Sequence, residues 1–189
     1  MSNFQFLNKE WPQIFEIAKE AEDMANIKAR SSLVNSRAAL EKGIRWMYEN
    51  DERLFKDYDN IKNVQNLLQT KSLKTVTEKN LRRELHLLQK LGNEAAHGEI
   101  TDSEKANTCI KILFQFCSHL AVSYSSDEIE TPVFDESLIP TGSKVNETHK
   151  ELELQMQKLE EQFKKDQIKR EELETQKEEL ESLRKELEL

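Results

Sequence analysis

Asn93 and His97 stand four residues apart in Gly92-Asn-Glu-Ala-Ala-His-Gly98. On a helix that spacing puts both on one face, where an imidazole beside an amide can move a proton or hold a phosphate. The same residues carry a plainer reading, in which Asn93 ends a helix and His97 hydrogen-bonds within a bundle. A second concentration of chemistry is positive charge. Lys62, Lys71, Lys74, Lys79, Arg82, Arg83 and Lys90 face only Glu78 and Glu84 across that stretch, a net of +5 in a chain whose net charge is −8. Such a run suits a nucleic-acid or acidic-partner contact, or a solvated helix face.

The absences are equally specific. The four glycines, at 43, 92, 98 and 142, cannot form GxxxxGK[ST], so no phosphate-cradling loop is encoded. There is no HExxH, no GxSxG, and no Glu-x-Lys or Asp-x-Lys of the kind that restriction-type nucleases use to bind metal. Cys109 and Cys117 have neither CxxC nor zinc spacing. Eight residues apart on one helix, their Cα atoms would be about 12 Å apart, beyond disulfide reach. They read as core thiols of a reducing compartment. Cys117 and His119 project about 200° apart on a helix and would not share a metal. No metal site and no cofactor are expected of this chain.

The elements that must position these residues are helical. Four Gly and three Pro in 189 residues are too few for a turn-rich β fold, and β-branched residues never alternate over a strand length. Trp11, Ile14, Phe15, Ala18, Ala21 and Ala25 recur at three- and four-residue steps behind Pro12, predicting a first helix. A second, from about Ser31 to Asn50, carries Leu33, Leu40, Ile44 and Met47. Arg37 lies on that apolar stripe, where an arginine ordinarily pairs with a carboxylate such as Glu41, and Arg45 follows eight residues on. Trp11 and Trp46 read as core. Asp51 to Asn60 is polar and broken, with a short third helix over Ile61, Val64, Leu67 and Leu68. Thr75-Val-Thr-Glu78 has capping-box spacing and predicts a fourth helix through Leu81, Leu85, Leu88 and Leu91. Thr101-Asp-Ser-Glu104 predicts a fifth, the most apolar, with Ala106, Ile110, Leu113, Phe114, Cys117, Leu120, Ala121 and Tyr124. This helix is expected at the centre of the bundle. The body, residues 1–125, is thus an all-α bundle of about five helices.

Residues 126–146 form an acidic, Pro-containing linker whose Val133, Phe134, Leu138 and Ile139 can dock on the body. From 147 to 189 the chain becomes a Glu/Lys/Leu helix. Leu152, Met156, Leu159 and Phe163 make one coiled-coil seam, and Leu173, Leu180, Leu183 and Leu187 a second, separated by a stammer across Asp166 and Arg170. A helix of this composition needs a partner, so self-association through the coil is expected. The pattern runs uncapped to Leu189, which suggests a chain continuing in a longer parent. The start has no export signal and no run reaches the length of a membrane span, so a cytoplasmic protein is expected.

Several pieces taken together resemble one family. They are Ser2-Asn-Phe-Gln-Phe-Leu-Asn-Lys-Glu-Trp-Pro12, Arg30-Ser-Ser-Leu-Val-Asn-Ser-Arg-Ala-Ala-Leu-Glu41 with Ile44-Arg-Trp-Met-Tyr48, Lys90-Leu-Gly-Asn-Glu-Ala-Ala-His-Gly98, and Phe134-Asp-Glu-Ser-Leu-Ile-Pro140 before a coil. This order is similar to the helical domain at the amino terminus of R subunits of type I restriction-modification enzymes. The resemblance implies a parent that translocates and cleaves foreign DNA with ATP and magnesium, by engines beyond residue 189. It also implies partners among the other restriction-modification subunits; the bundle would dock on them, or on DNA through the basic residues Lys71, Lys74, Lys79, Arg82, Arg83 and Lys90. The domain is further similar to the HEPN group of helical bundles, several of which are metal-independent ribonucleases with an Arg, four to six intervening residues, and then a His. His97 matches the His and Asn93 the polar companion. The arginine is absent, and Lys90, at the right gap, lacks its planar fork. Three readings follow: a non-catalytic interaction and assembly module of an R subunit, a HEPN-type ribonuclease using His97, or a freestanding coiled-coil adaptor.

Overall fold

The computed structural model describes residues 1–58 and 63–141. Ile61, Lys62, the end of the linker and every residue of the two coiled-coil seams lie outside the described residues. Among those described there are seven α-helices and no strand. They are α1 (Pro12–Met24), α2 (Ala29–Asn50), α3 (Glu52–Tyr58), α4 (Val64–Leu67), α5 (Leu73–Val76), α6 (Lys79–Ala96) and α7 (Ser103–Tyr124). The four long helices α1, α2, α6 and α7 make a bundle. No described helix is long and apolar enough to cross a membrane.

α1 begins where its sequence says it must, with Pro12 at the first helical position, and it buries Ile14, Phe15, Ala18 and Ala21. α2 buries the expected Leu33, Leu40, Ile44 and Met47. It also buries Ser32, Ser36, Ala39 and Gly43, which recur at helical spacing on a different face, roughly 80° around the axis. An apolar face on one side and a small-residue face beside it let several helices approach α2 at once. α1, α3, α4, α6 and α7 all pack against it. The centre of the bundle is therefore α2 rather than α7. α7 still buries the apolar residues named for it, with Tyr124 half-buried at its end, and packs on α1, α2 and α6.

Three local expectations are corrected. The polar segment after Asn50 is not broken but holds α3, started by Asp51, whose carboxylate accepts from the Arg53 amide at 2.9 Å, and anchored by fully buried Leu54. Thr75 does not cap α6; it lies inside α5, where its hydroxyl donates to the Ser72 carbonyl at 2.7 Å. α6 starts at Lys79 behind Glu78, with no side-chain cap. At the second predicted box the cap is Asp102, one residue later than Thr101, its carboxylate accepting from Lys105 N at 2.8 Å.

Residues beyond α7 dock on the body. Phe134 packs edge-on against Phe114 at 5.1 Å, and Ile139 is buried, while Val133 stays exposed. The Asn3 side chain donates to the Asp135 carbonyl at 2.9 Å and accepts from its amide at 2.7 Å. Asn3 is itself held by Glu22, which is 1% exposed and accepts from Asn3 Nδ2 at 2.6 Å and Ser2 Oγ at 2.5 Å. The amino-terminal arm is thus the clamp that fixes this strap.

α2 and α6 meet at Gly92. A Cβ there would lie 2.5 Å from Arg37 Cβ and 3.0 Å from the Leu33 carbonyl oxygen, so no larger residue fits without separating the helices. Gly92→Ala is expected to cost about 1–3 kcal/mol, read as a lower midpoint of urea unfolding; an unchanged midpoint would contradict the close contact.

Candidate functional site

With Gly92, Leu85, Leu88 and Ala95 of α6 turned inward, the opposite side of the helix faces solvent. Lys79, Arg83, His86, Lys90, Asn93 and His97 follow one another at steps of four and three. They therefore fall within about 40° of a common line along the helix. Lys79, Arg83, Lys90 and His97 are exposed, and His86 and Asn93 half-exposed. Two features separate in the sequence, the basic run and the Asn93/His97 pair, are thus one stripe about 27 Å long.

The other predicted cations are placed differently. Arg82 sits beside the stripe, and its guanidinium donates to the Lys74 carbonyl at 3.3 Å and, at a shorter distance, to the Thr77 carbonyl, stapling the α5–α6 connection. Lys71 and Lys74 are exposed on the connection before α6. Lys90 pairs loosely with Glu94 at 3.7 Å. Arg37, as expected, donates to Glu41 at 2.8 Å. Trp11 is buried and packs edge-on against Trp46 at 5.3 Å, so both are structural.

The carboxyl end of α6 gathers the most varied side chains. His97 is its C-cap, and Gly98 follows with φ +90, the left-handed turn that glycine adopts most easily. Gly98 N donates to the Ala95 carbonyl at 3.2 Å and Glu99 N to the Glu94 carbonyl at 3.0 Å, the two bonds of a Schellman ending. Arg30, from the first turn of α2, reaches the same end. Its Nε donates to the Ala95 carbonyl at 2.9 Å and its Nη2 to the Ala96 carbonyl at 3.3 Å. An arginine absent from the local motif is therefore present in space, 67 residues upstream of His97 in the chain. His97 is not tucked into the bundle, and its imidazole has no hydrogen-bond partner among the described residues. Beside it lies a cavity of about 210 Å³, lined by Gln65, His86, Gln89, Asn93 and His97. Lys90, Glu94 and Glu99 also border it. Sequence reasoning missed Gln65, His86, Gln89 and Arg30. His86 was legible from its helical register with Lys79 and Lys90, whereas nothing local to Arg30 or Gln65 points to α6.

The perturbed titrating groups lie elsewhere. Burial pushes the Cys109 thiol up to about 12 and the Cys117 thiol higher still, so both are inert core groups. Burial also lowers the His119 imidazole, an effect that the neighbouring Val76 backbone and Glu78 oppose. Among the described residues no three His, Cys, Asp or Glu side chains gather to hold a metal ion.

The sequence matches the model of a domain of unknown function, DUF4145, over residues 19–162. That stretch is well over half of the 189 residues. This chain belongs to the DUF4145 family. The DUF4145 match takes in α2, α6 and α7, hence the whole stripe, Arg30 and the cavity. No curated protein and no solved structure matches the chain.

A titrating cluster with defined partners lies at the corner between α2 and α3. Arg53 holds the Asp51 carboxyl down at about 2, opposed by burial and helped by the Tyr124 hydroxyl, which donates to Asp51 Oδ2 at 2.7 Å. A carboxyl lowered by folding stabilises the fold above its ordinary value of 3.8, and that contribution disappears as pH falls toward 2. Tyr124→Phe is expected to cost about 1–2 kcal/mol near neutrality. In urea titrations the deficit should shrink between about pH 4 and pH 2; a deficit independent of pH would remove the carboxylate from the explanation.

Proposed function

We propose that this chain is a non-catalytic interaction and assembly module, belonging at the amino terminus of a type I restriction enzyme R subunit, with the α6 stripe as its contact surface for DNA. One observation carries the contact: Lys79, Arg83 and Lys90 stand on a single exposed helix face with His86 between them, while Glu84 points roughly 140° away from it. Cations about 6 and 10 Å apart along a rigid helix suit a row of phosphates better than a single small anion. Arg82 contributes by holding the approach to α6, and Lys71 and Lys74 extend the positive field at that end. The order of sequence pieces supports the restriction-subunit identity and a HEPN-like reading of the bundle. In this reading the parent supplies ATP- and magnesium-dependent chemistry. The other restriction-modification subunits are the protein partners, and residues 147–189 pair as a coiled coil in the cytoplasm.

Phosphate contacts release counterions, so affinity for duplex DNA should fall steeply with salt. In fluorescence anisotropy over a salt series, the combined variant Lys79→Gln, Arg83→Gln, Lys90→Gln should bind all duplex sequences more weakly. The slope of log affinity against log salt should lose about 2–3 units. Binding that ignores salt, or a variant indistinguishable from the unaltered chain, refutes the DNA contact.

A second reading, a metal-independent HEPN-type ribonuclease, is favoured by one observation. Arg30 brings a guanidinium to the same helix end as His97, where Lys90 alone lacks the planar fork. His97 would then act as acid or base, with Asn93 orienting the scissile group. It requires RNA cleavage in the presence of a chelator, abolished by His97→Ala and by Arg30→Ala; cleavage that survives both substitutions excludes it.

A further inference from the structure

We propose that the cavity beside His97 holds one unpaired, amino-bearing nucleobase, adenine for preference, of a strand whose phosphates follow the α6 stripe. This rests on the nucleic-acid reading of the stripe and adds to it a site that reads bases.

The cavity's size and walls carry the argument. About 210 Å³ falls below the roughly 300 Å³ at which pockets for drug-sized molecules begin, and suits a single flat heterocycle. Gln89 is only 4% exposed, yet its Oε1 has no hydrogen-bond partner. A buried acceptor without a donor destabilises the free protein. Gln89 lines the cavity, and a turn of its side-chain amide toward the cavity would let a ligand N–H satisfy that oxygen. Glu94 and Glu99 are further acceptors on the same walls. The preferred guest therefore brings donors, as the exocyclic amine of adenine does and thymine does not. The half-buried Asn93 amide offers a donor and an acceptor side by side, the pattern that matches the N6 and N7 edge of adenine. His86 and His97 line the cavity, and imidazole rings are of a kind on which a base can stack.

The rest of the site suits a strand rather than a free base. Lys90 and Arg83 continue the stripe from the cavity toward the amino end of α6, and the Lys90–Glu94 pair moderates the carboxylate closest to them. A base inside a duplex cannot enter, because its edge and both faces are occupied; it must be unpaired and splayed from its neighbours.

The test uses the full chain and three labelled single strands of about a dozen nucleotides, oligo(dA), oligo(dT) and an abasic strand of equal charge, measured by anisotropy. Oligo(dA) should bind about tenfold more tightly than the other two. Asn93→Ala and His86→Ala should erase that preference while leaving the salt slope unchanged, which separates the pocket from oligo(dA)'s own tendency to stack. Gln89→Leu, which removes the unsatisfied acceptor, should lose the preference and melt no lower than the unaltered chain. Equal binding of all three strands, or a preference that survives in the Asn93→Ala, His86→Ala double variant, overturns the pocket. If the stripe variant still weakens all three strands in that case, the stripe stands without it. If no strand and no duplex binds, the stripe fails and the pocket falls with it.

Discussion

The contact between α2 and α6 at Gly92 sets the rotation of α6, and most of the functional surface follows from that rotation. A backbone carbonyl and an arginine Cβ fill the space a side chain would need. The helix must therefore turn its Gly92 line inward and its Lys79–His97 line outward, roughly on the opposite side. The same contact brings the first turn of α2 to the last turn of α6. Arg30 then donates to the Ala96 carbonyl and adds a second donor to the Ala95 carbonyl, at the point where Gly98 completes the turn. One steric constraint thus gives a straight cationic face, a finished helix end and a cavity beside it.

α2 serves this role because it has two faces to bury. Leu33, Leu40, Ile44 and Met47 supply apolar area on one, and Ser32, Ser36, Ala39 and Gly43 allow close approach on the other. α7 is more apolar but has less freedom to meet several helices closely, since its buried side chains include Phe114 and Phe116. The amino-terminal arm and the strap after α7 close the remaining side by polar contacts. Glu22, buried under Ser2 and Asn3, is satisfied by three of their donors, and Asn3 carries the linkage on to Asp135. A carboxylate so enclosed is tolerated because three donors converge on it.

The departures from local rules share one cause. Capping patterns are short and occur by chance, and tertiary contacts choose between them. Thr75 has the spacing of a cap, but the chain there winds into α5 because Leu73 is pulled into the core, and Arg82 holds the following carbonyls instead. Asp102 displaces Thr101 as the cap of α7, a carboxylate being the stronger acceptor for the orphan amides. α3 looked like a polar loop because one buried leucine, Leu54, is too little periodicity to see.

From the sequence alone came the all-helical class, the apolar faces of α1, α2, α6 and α7, the inert thiols, the Arg37–Glu41 pair, the docking of Phe134 and Ile139, and the concentration of positive charge before His97. These are periodic or compositional properties, carried by neighbouring residues and readable without knowing where the chain goes next. The tertiary structure alone decided that α2 is central, that Arg82 is a staple, that Arg30 stands at the end of α6, and that Gln65 and Gln89 share a cavity with two histidines. Each of those depends on the angle at which one helix meets another. That angle is fixed by side-chain packing between residues dozens of positions apart, for which a linear pattern holds no record.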